Sequence, residues 1–143
     1  MYYFAYGSNM NQNRMLERDV IFSNVERGIL ENYKFIINKR SKKDPKIGFA
    51  NIEYCNGSKV EGVLYEIESI EQLDKFEGYP LHYNRVILPI QTNTDIIVNA
   101  FCYIANIEWI SDGLKVSDDY KYHILEGKKY MSVKYYNKLN NIL

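Results

Sequence analysis

Two short stretches of this sequence hold residues whose types and spacing can do chemistry. The first is Tyr6-Gly7-Ser8-Asn9, where the apolar run Tyr3-Phe4-Ala5-Tyr6 stops abruptly and a polar, helix-forming segment follows. A strand that turns tightly into a helix leaves backbone N–H groups unpaired at the helix start. With the positive end of the helix dipole behind them, such groups hold a carboxylate or another anion. Gly7 lets a ligand come close to the backbone, and Ser8 and Asn9 either cap the helix or touch the ligand. The same letters also fit an ordinary capped turn. The second stretch centres on Glu77. It falls in the last turn of a predicted helix, where the dipole disfavours a carboxylate. Asp74, three residues earlier on the same face, adds like-charge repulsion. Both effects raise a carboxyl pKa, as does burial, and a glutamate tuned toward neutrality suits proton transfer. A solvated glutamate at a frayed helix end is the plainer alternative.

These residues depend on the elements around them. Tyr2 to Tyr6 reads as a buried strand, and Asn11 to Asp19 as a short helix with Met15 and Leu16 on its inner side. Val25 to Ile37 contains extended segments around Gly28, and Lys39 to Lys46 reads as a basic, solvated loop stopped by Pro45. Gly48 to Cys55 and Lys59 to Ile67 predict a hairpin with Asn56-Gly57 as its turn. In its second arm, Val60, Gly62, Leu64 and Glu66 alternate with Glu61, Val63, Tyr65 and Ile67. Ser69 and Gln72 fit a capping box for the helix that carries Glu77. Ile70, Leu73 and Phe76 supply its apolar face, Gly78 fits the position just past its end, and Pro80 prevents continuation. Strands follow at Tyr83 to Gln91 and Ile96 to Ala105, then a loop near Ser111-Asp112-Gly113. Asp118 to Leu143 reads as mostly helical, breaking near Gly127 and restarting at Ser132. Strands with interspersed helices predict an α+β domain on a mixed sheet.

Composition bounds the rest. With 143 residues the chain is read as one domain, 1–143. Its 46% hydrophobic and 25% charged residues are those of a soluble globular protein. Eighteen basic residues balance eighteen acidic ones, so no global charge draws it to nucleic acid or an anionic membrane. The N-terminal apolar stretch lacks a positive leader and breaks at Gly7, unlike a signal peptide, and no run approaches a transmembrane span. Cys55 and Cys102 lie in strand-like segments and are read as reduced core residues of a cytoplasmic protein, with no metal-ligand partner at a usual spacing. Tyrosine is over-represented, 14 against 6 Phe. Most of these rings belong in a core with the hydroxyl near the surface, and a few can line a polar cavity.

Taken in order, Tyr6-Gly7-Ser8-Asn9, then Leu73-Asp74-Lys75-Phe76-Glu77-Gly78 and Tyr83, resemble the γ-glutamylcyclotransferase family. Gly48-Phe49-Ala50-Asn51-Ile52, Val60-Glu61-Gly62-Val63-Leu64-Tyr65, Tyr120-Lys121-Tyr122-His123-Ile124 and Gly127 extend the resemblance over nearly the whole chain. It implies a small, mixed, barrel-like β-sheet with helices packed outside; the residue pattern alone does not give the barrel. It implies that Glu77, in the family's Asp-x-x-Glu-Gly position, is the catalytic acid/base. Gly7, Ser8 and Asn9 would hold the glutamyl carboxylate, and Tyr6, Tyr83 and Tyr120 would line the substrate pocket. The implied reaction is intramolecular aminolysis: the α-amine of a γ-glutamyl compound attacks its own γ-carbonyl, 5-oxoproline closes, and a free amine or amino acid leaves. No metal or organic cofactor is implied. Two alternatives stay open, a cyclotransferase for γ-glutamylamines including isopeptides, and a non-catalytic small-molecule binder of the same fold. The expected partner is the small-molecule γ-glutamyl substrate, not nucleic acid or membrane, on a monomer or homodimer.

Other constellations are weaker. His82 and His123 are the only histidines, and no motif joins either to Cys55 or Cys102 as a nucleophile pair. No aromatic residues interleave with the charges of the basic loop, so it lacks the pattern of a nucleic-acid site.

Overall fold

Two strands of unusual length make the barrel possible. In the computed structural model, which describes residues 1–143, β2 spans Phe22–Arg40 and β3 spans Gly48–Ile67. They pair antiparallel from Phe22↔Ile67 to Arg40↔Gly48, with register shifts near Phe22, Glu31 and Ile37. Such shifts bend a strand and increase its twist, which a small sheet needs in order to curl closed. β1 (Tyr2–Ala5) lies antiparallel against β3, and β4 (Tyr83–Gln91) forms a hairpin with β5 (Ile97–Ala105). β5 returns to β1 in parallel through Tyr2↔Ala100 and Tyr3↔Phe101, and β2 meets β4 at Ile29↔Gln91. The order β1-β3-β2-β4-β5 is therefore a closed barrel.

The interior is filled by Phe4, Leu30, Ile52, Leu64, Ile90 and Ala100, all essentially inaccessible to solvent. Gly28 and Gly62 face each other across β2 and β3. A Cβ on either would lie about 3.0 Å from the Phe4 ring, so two glycines make room for one large aromatic. The helices pack outside: α1 (Gln12–Glu17), α2 (Glu71–Glu77), α3 (Asp118–Leu125) and α4 (Val133–Ile142). Ile124, Tyr135 and Leu139 bury the last two against the barrel. Glu61, 1% exposed, fastens this layer: its carboxylate accepts from Ser132 N–H (2.7 Å), Ser132 Oγ (2.9 Å) and Arg27 Nη2 (2.7 Å). No helix is long and apolar enough to cross a membrane.

Several local expectations are corrected. Gly48–Cys55 and Lys59–Ile67 are not the arms of a hairpin but one strand, because β2 offers both a continuous partner. The Asn56-Gly57 signal produces an irregularity instead: Gly57 has φ 84° and its N–H donates to Asn32 Oδ1 at 3.1 Å. The basic segment is not all loop, since β2 continues through Lys39 and Arg40 and the turn begins at Ser41, whose N–H donates to Ile47 O. At α2, Ser69 Oγ accepts from Glu71 N–H at 3.2 Å, but Ile70 is the N-cap and no capping box closes. Leu16 and Phe76 are not core residues: they are 60% and 52% exposed, and the Arg18 guanidinium lies over the Phe76 ring. Cys102 is buried, but Cys55 is only half-buried. The helical tail and its restart follow the sequence, with Ser132 capping α4 through its side chain.

Candidate active site

The cavity at one mouth of the barrel, about 470 Å³, is lined by every residue singled out as a site candidate: Tyr6, Gly7, Ser8, Asn9, Glu77, Tyr83 and Tyr120. They come from four separate places in the chain. β1 delivers Tyr6 and the Gly7 turn to the rim, where Ser8–Met10 forms a single 3-10 turn. The N–H groups of Met10 and Asn11 close that turn onto Gly7 O (3.0 Å) and Ser8 O (3.2 Å). The N–H groups of Gly7, Ser8 and Asn9 take no part in closing it. The cap of α1 is neither Ser8 nor Asn9 but Asn11, whose Oδ1 accepts from Asn13 N–H at 3.0 Å.

Asn9 is the hub of the site. Its Nδ2 donates to Glu77 Oε1 at 3.2 Å and to the Tyr3 hydroxyl at 3.0 Å. Its Oδ1 accepts from Arg18 Nη1 at 2.9 Å, and its backbone carbonyl accepts from the Tyr65 hydroxyl at 2.6 Å. With both ends of the amide engaged, Asn9 fixes the position of the Glu77 carboxylate. Glu77 sits at the end of α2 because Gly78 adopts the left-handed conformation, φ 67°, which ends the helix without the Cβ penalty any other residue would meet. Its N–H caps the carbonyl of Lys75.

Burial raises the pKa of Glu77, and the cations of Arg18, Arg14 and Lys39 oppose that rise. The expected repulsion from Asp74 is not the cause. Asp74 is paired with Arg85 and accepts from the Tyr103 hydroxyl at 2.7 Å, so its charge is engaged elsewhere.

The tyrosines are tied down through the backbone. Tyr6 donates to Tyr103 O at 2.5 Å. Tyr83 donates to Ala50 O at 2.8 Å, while the Tyr120 hydroxyl accepts from Ala50 N–H at 3.0 Å. One residue of β3 thus anchors two walls of the cavity, and Tyr120 keeps its own proton available to a ligand. Burial raises the pKa of all three phenols, that of Tyr120 to about 12, so each stays protonated at neutral pH.

Residue-type reasoning missed the cations that line this cavity, among them Arg14, Arg18 and Lys39. Arg14 lies on α1 and Arg18, four residues on, is its C-cap, so the two share a face, a signal present in the spacing. Lys39 was hidden by the run of charges around it. The two cysteines lie outside the cavity, and His82 lines it without contacting either. No group of three His, Cys, Asp or Glu residues is placed to hold a metal ion.

The family model described as "Gamma-glutamyl cyclotransferase, AIG2-like" matches residues 3–129. No curated protein matches the sequence significantly. Among solved structures, an uncharacterized protein from Homo sapiens is 25% identical with a TM-score of 0.82, covering 99% of this chain and 87% of that one. A structure named "Gamma-glutamyl cyclotransferase" is 23% identical with a TM-score of 0.79, covering 100% and 88%. YkqA from Bacillus subtilis is 23% identical with a TM-score of 0.86, covering 99% of this chain but 53% of that one. The last two likenesses concern the fold.

Proposed function

The chain belongs to the gamma-glutamyl cyclotransferase, AIG2-like family, and from that premise we propose that it converts a γ-glutamyl compound to 5-oxoproline and a free amine. The observation that carries this reading is Glu77 itself, a carboxyl group with a raised pKa, held by Asn9 inside a cavity rimmed by the Gly7 turn.

In this reading the glutamyl carboxylate lies against the N–H groups of Gly7, Ser8 and Asn9. Arg14 and Arg18 supply positive charge beside it. The γ-chain folds back so that the α-amine reaches the γ-carbonyl carbon, and holding that conformer is the main contribution of the cavity. The α-ammonium gives a proton to Glu77, most directly to Oε2, because Oε1 is held by Asn9. The amine nitrogen then bonds to the γ-carbon, and the carbonyl becomes an oxyanion that the Tyr120 proton can stabilise. Collapse breaks the γ-amide C–N bond as Glu77 returns its proton to the leaving nitrogen, and the ring nitrogen sheds its surplus proton through Glu77 to the departing amine, which leaves as an ammonium. Protons balance, and neither water nor a redox step enters. A raised glutamate pKa serves both transfers, since the same group must accept and then donate near neutrality.

The test is the fate of solvent oxygen. In isotopically labelled water the 5-oxoproline should carry no heavy oxygen, and an N-acetyl-γ-glutamyl compound should not react. Labelled glutamate as the main product would mean that Glu77 activates water, and the cyclisation reading would fail.

A further inference from the structure

The cavity holds more positive charge than a glutamyl group requires. Glu77 is its only acidic lining residue, against Arg14, Arg18, Lys39, Lys42, Lys43 and Lys75. Lys39 is the unusual member. It stands near the end of β2, is 4% exposed, and makes no ion pair with any acid. Its Nζ lies 2.7 Å from His82 Nδ1, and 4.7, 5.6 and 5.8 Å from the ring centres of Trp109, Phe49 and Tyr83. His82 in turn stacks on Trp109 with ring centres 4.1 Å apart. Burying an ammonium without an anion is costly, and aromatic faces offset only part of that cost. Burial lowers the pKa of Lys39 to about 8, while Glu77 acts in the opposite sense. Lys39 and Glu77 both line the cavity and form no ion pair with each other, so a ligand can lie between them.

We propose that Lys39, oriented by His82 and flanked at the mouth by Ser41, Lys42 and Lys43, is a carboxylate-binding subsite for the leaving group. The proposal rests on the γ-glutamyl reading above and sharpens it: the preferred substrates are γ-glutamyl amino acids or peptides, whose leaving amine bears a carboxylate, over neutral γ-glutamylamines. One ammonium proton is directed to His82 Nδ1, and the other two remain for the ligand's oxygens. The carboxylate supplies the anion that Lys39 lacks, and the exchange of water for a fixed counter-charge favours binding in a partly dry site.

Two substrates that differ only in this group give the test: γ-glutamyl-alanine and γ-glutamyl-ethylamide. A charge-assisted hydrogen bond predicts that the wild-type protein favours γ-glutamyl-alanine in kcat/KM by roughly tenfold to a hundredfold. Lys39→Met, close in shape and uncharged, should remove that preference by lowering turnover of γ-glutamyl-alanine far more than that of the ethylamide. Equal kcat/KM for the two compounds on the wild-type protein would overturn the subsite, and that measurement does not depend on the variant folding. So would a Lys39→Met variant that slows both by the same factor. If the wild-type protein releases 5-oxoproline from neither, the cyclotransferase reading fails on its own account. Fluorescence of Trp109, the only tryptophan, then decides the subsite: a response to γ-glutamyl-alanine that is lost in Lys39→Met upholds it, and no response overturns it.

Discussion

Replacing Glu77 with glutamine separates position from proton transfer. The amide keeps an Oε1 that can accept from Asn9 Nδ2, now at 3.2 Å, so the side chain should hold its place. What disappears is the group that takes and returns a proton. Such a loss typically lowers the rate ~10²–10⁴-fold, equivalent to about 3–5 kcal/mol of barrier. The structure adds a second, opposite effect on stability. Burial raises the carboxyl pKa above its ordinary value of 4.5. Stability from protonated Glu77 is therefore fully present below pH 4.5 and is lost as pH rises through the folded-state pKa. Glutamine does not ionise and escapes that loss, so Glu77→Gln should melt higher than wild type at neutral pH, and the two should converge in acid. The assays are 5-oxoproline release for turnover, calorimetry for substrate binding, and circular dichroism melts across pH. Wild-type turnover in the variant would refute the role of Glu77, and a lower Tm at neutral pH would refute the account of its burial.

Gly7→Val places a Cβ 3.1 Å from Ala50 Cβ and 3.3 Å from the Tyr120 hydroxyl, so the turn or its neighbours must give by a few tenths of an ångström. KM should rise about tenfold or more, while stability falls by about 1–3 kcal/mol as for other overpacked sites; an unchanged KM in a folded variant would mean that the turn does not contact substrate. Tyr120→Phe removes both the acceptor for Ala50 N–H and the free phenolic proton. It should lower kcat by about tenfold and stability by about 1 kcal/mol, and steady-state kinetics beside a urea titration checks both. Glu61→Ala frees Ser132 and Arg27 at once. A loss of about 2–4 kcal/mol is expected, measured by chemical denaturation.

Local punctuation was easy to read. Gly78, Pro80 and Ser132 mark helix ends by rules that depend on a few neighbouring residues, and β4 has the bounds Tyr83 to Gln91 read for it. The Gly7 stretch and Glu77 were also legible, because a glutamate at the wrong end of a helix and a glycine at a strand end are local anomalies, whereas Tyr83 and Tyr120 came only from the family resemblance. Pairing was not. Asn56-Gly57 is a strong hairpin signal, yet the segments around it pair with β2, whose register is set by contacts far away in sequence. Lys39 was misplaced for a related reason. A lysine among lysines looks solvated, and only the aromatic rings of Phe49, Tyr83 and Trp109 arriving from other elements enclose it. Likewise Asp74 and Glu77 look like mutual repellents until Arg85 and Tyr103 come from β4 and β5 to claim Asp74.

The strand order has a kinetic side. β1 is sewn between β3 and β5, and its closing pair is parallel, Tyr2↔Ala100 and Tyr3↔Phe101, almost a hundred residues apart along the chain. The β2–β3 and β4–β5 pairs join neighbouring strands, but the pair that closes the barrel is far from local, and closure of that kind is expected to place refolding in the slow, millisecond-to-second class of β-rich domains. The Gly7 turn hangs from the end of β1, and the Tyr120 wall reaches Ala50 only once β3 is in place. The cavity is thus complete only when both joins are made. Recovery of substrate binding after dilution from denaturant should share a single rate with recovery of the barrel itself.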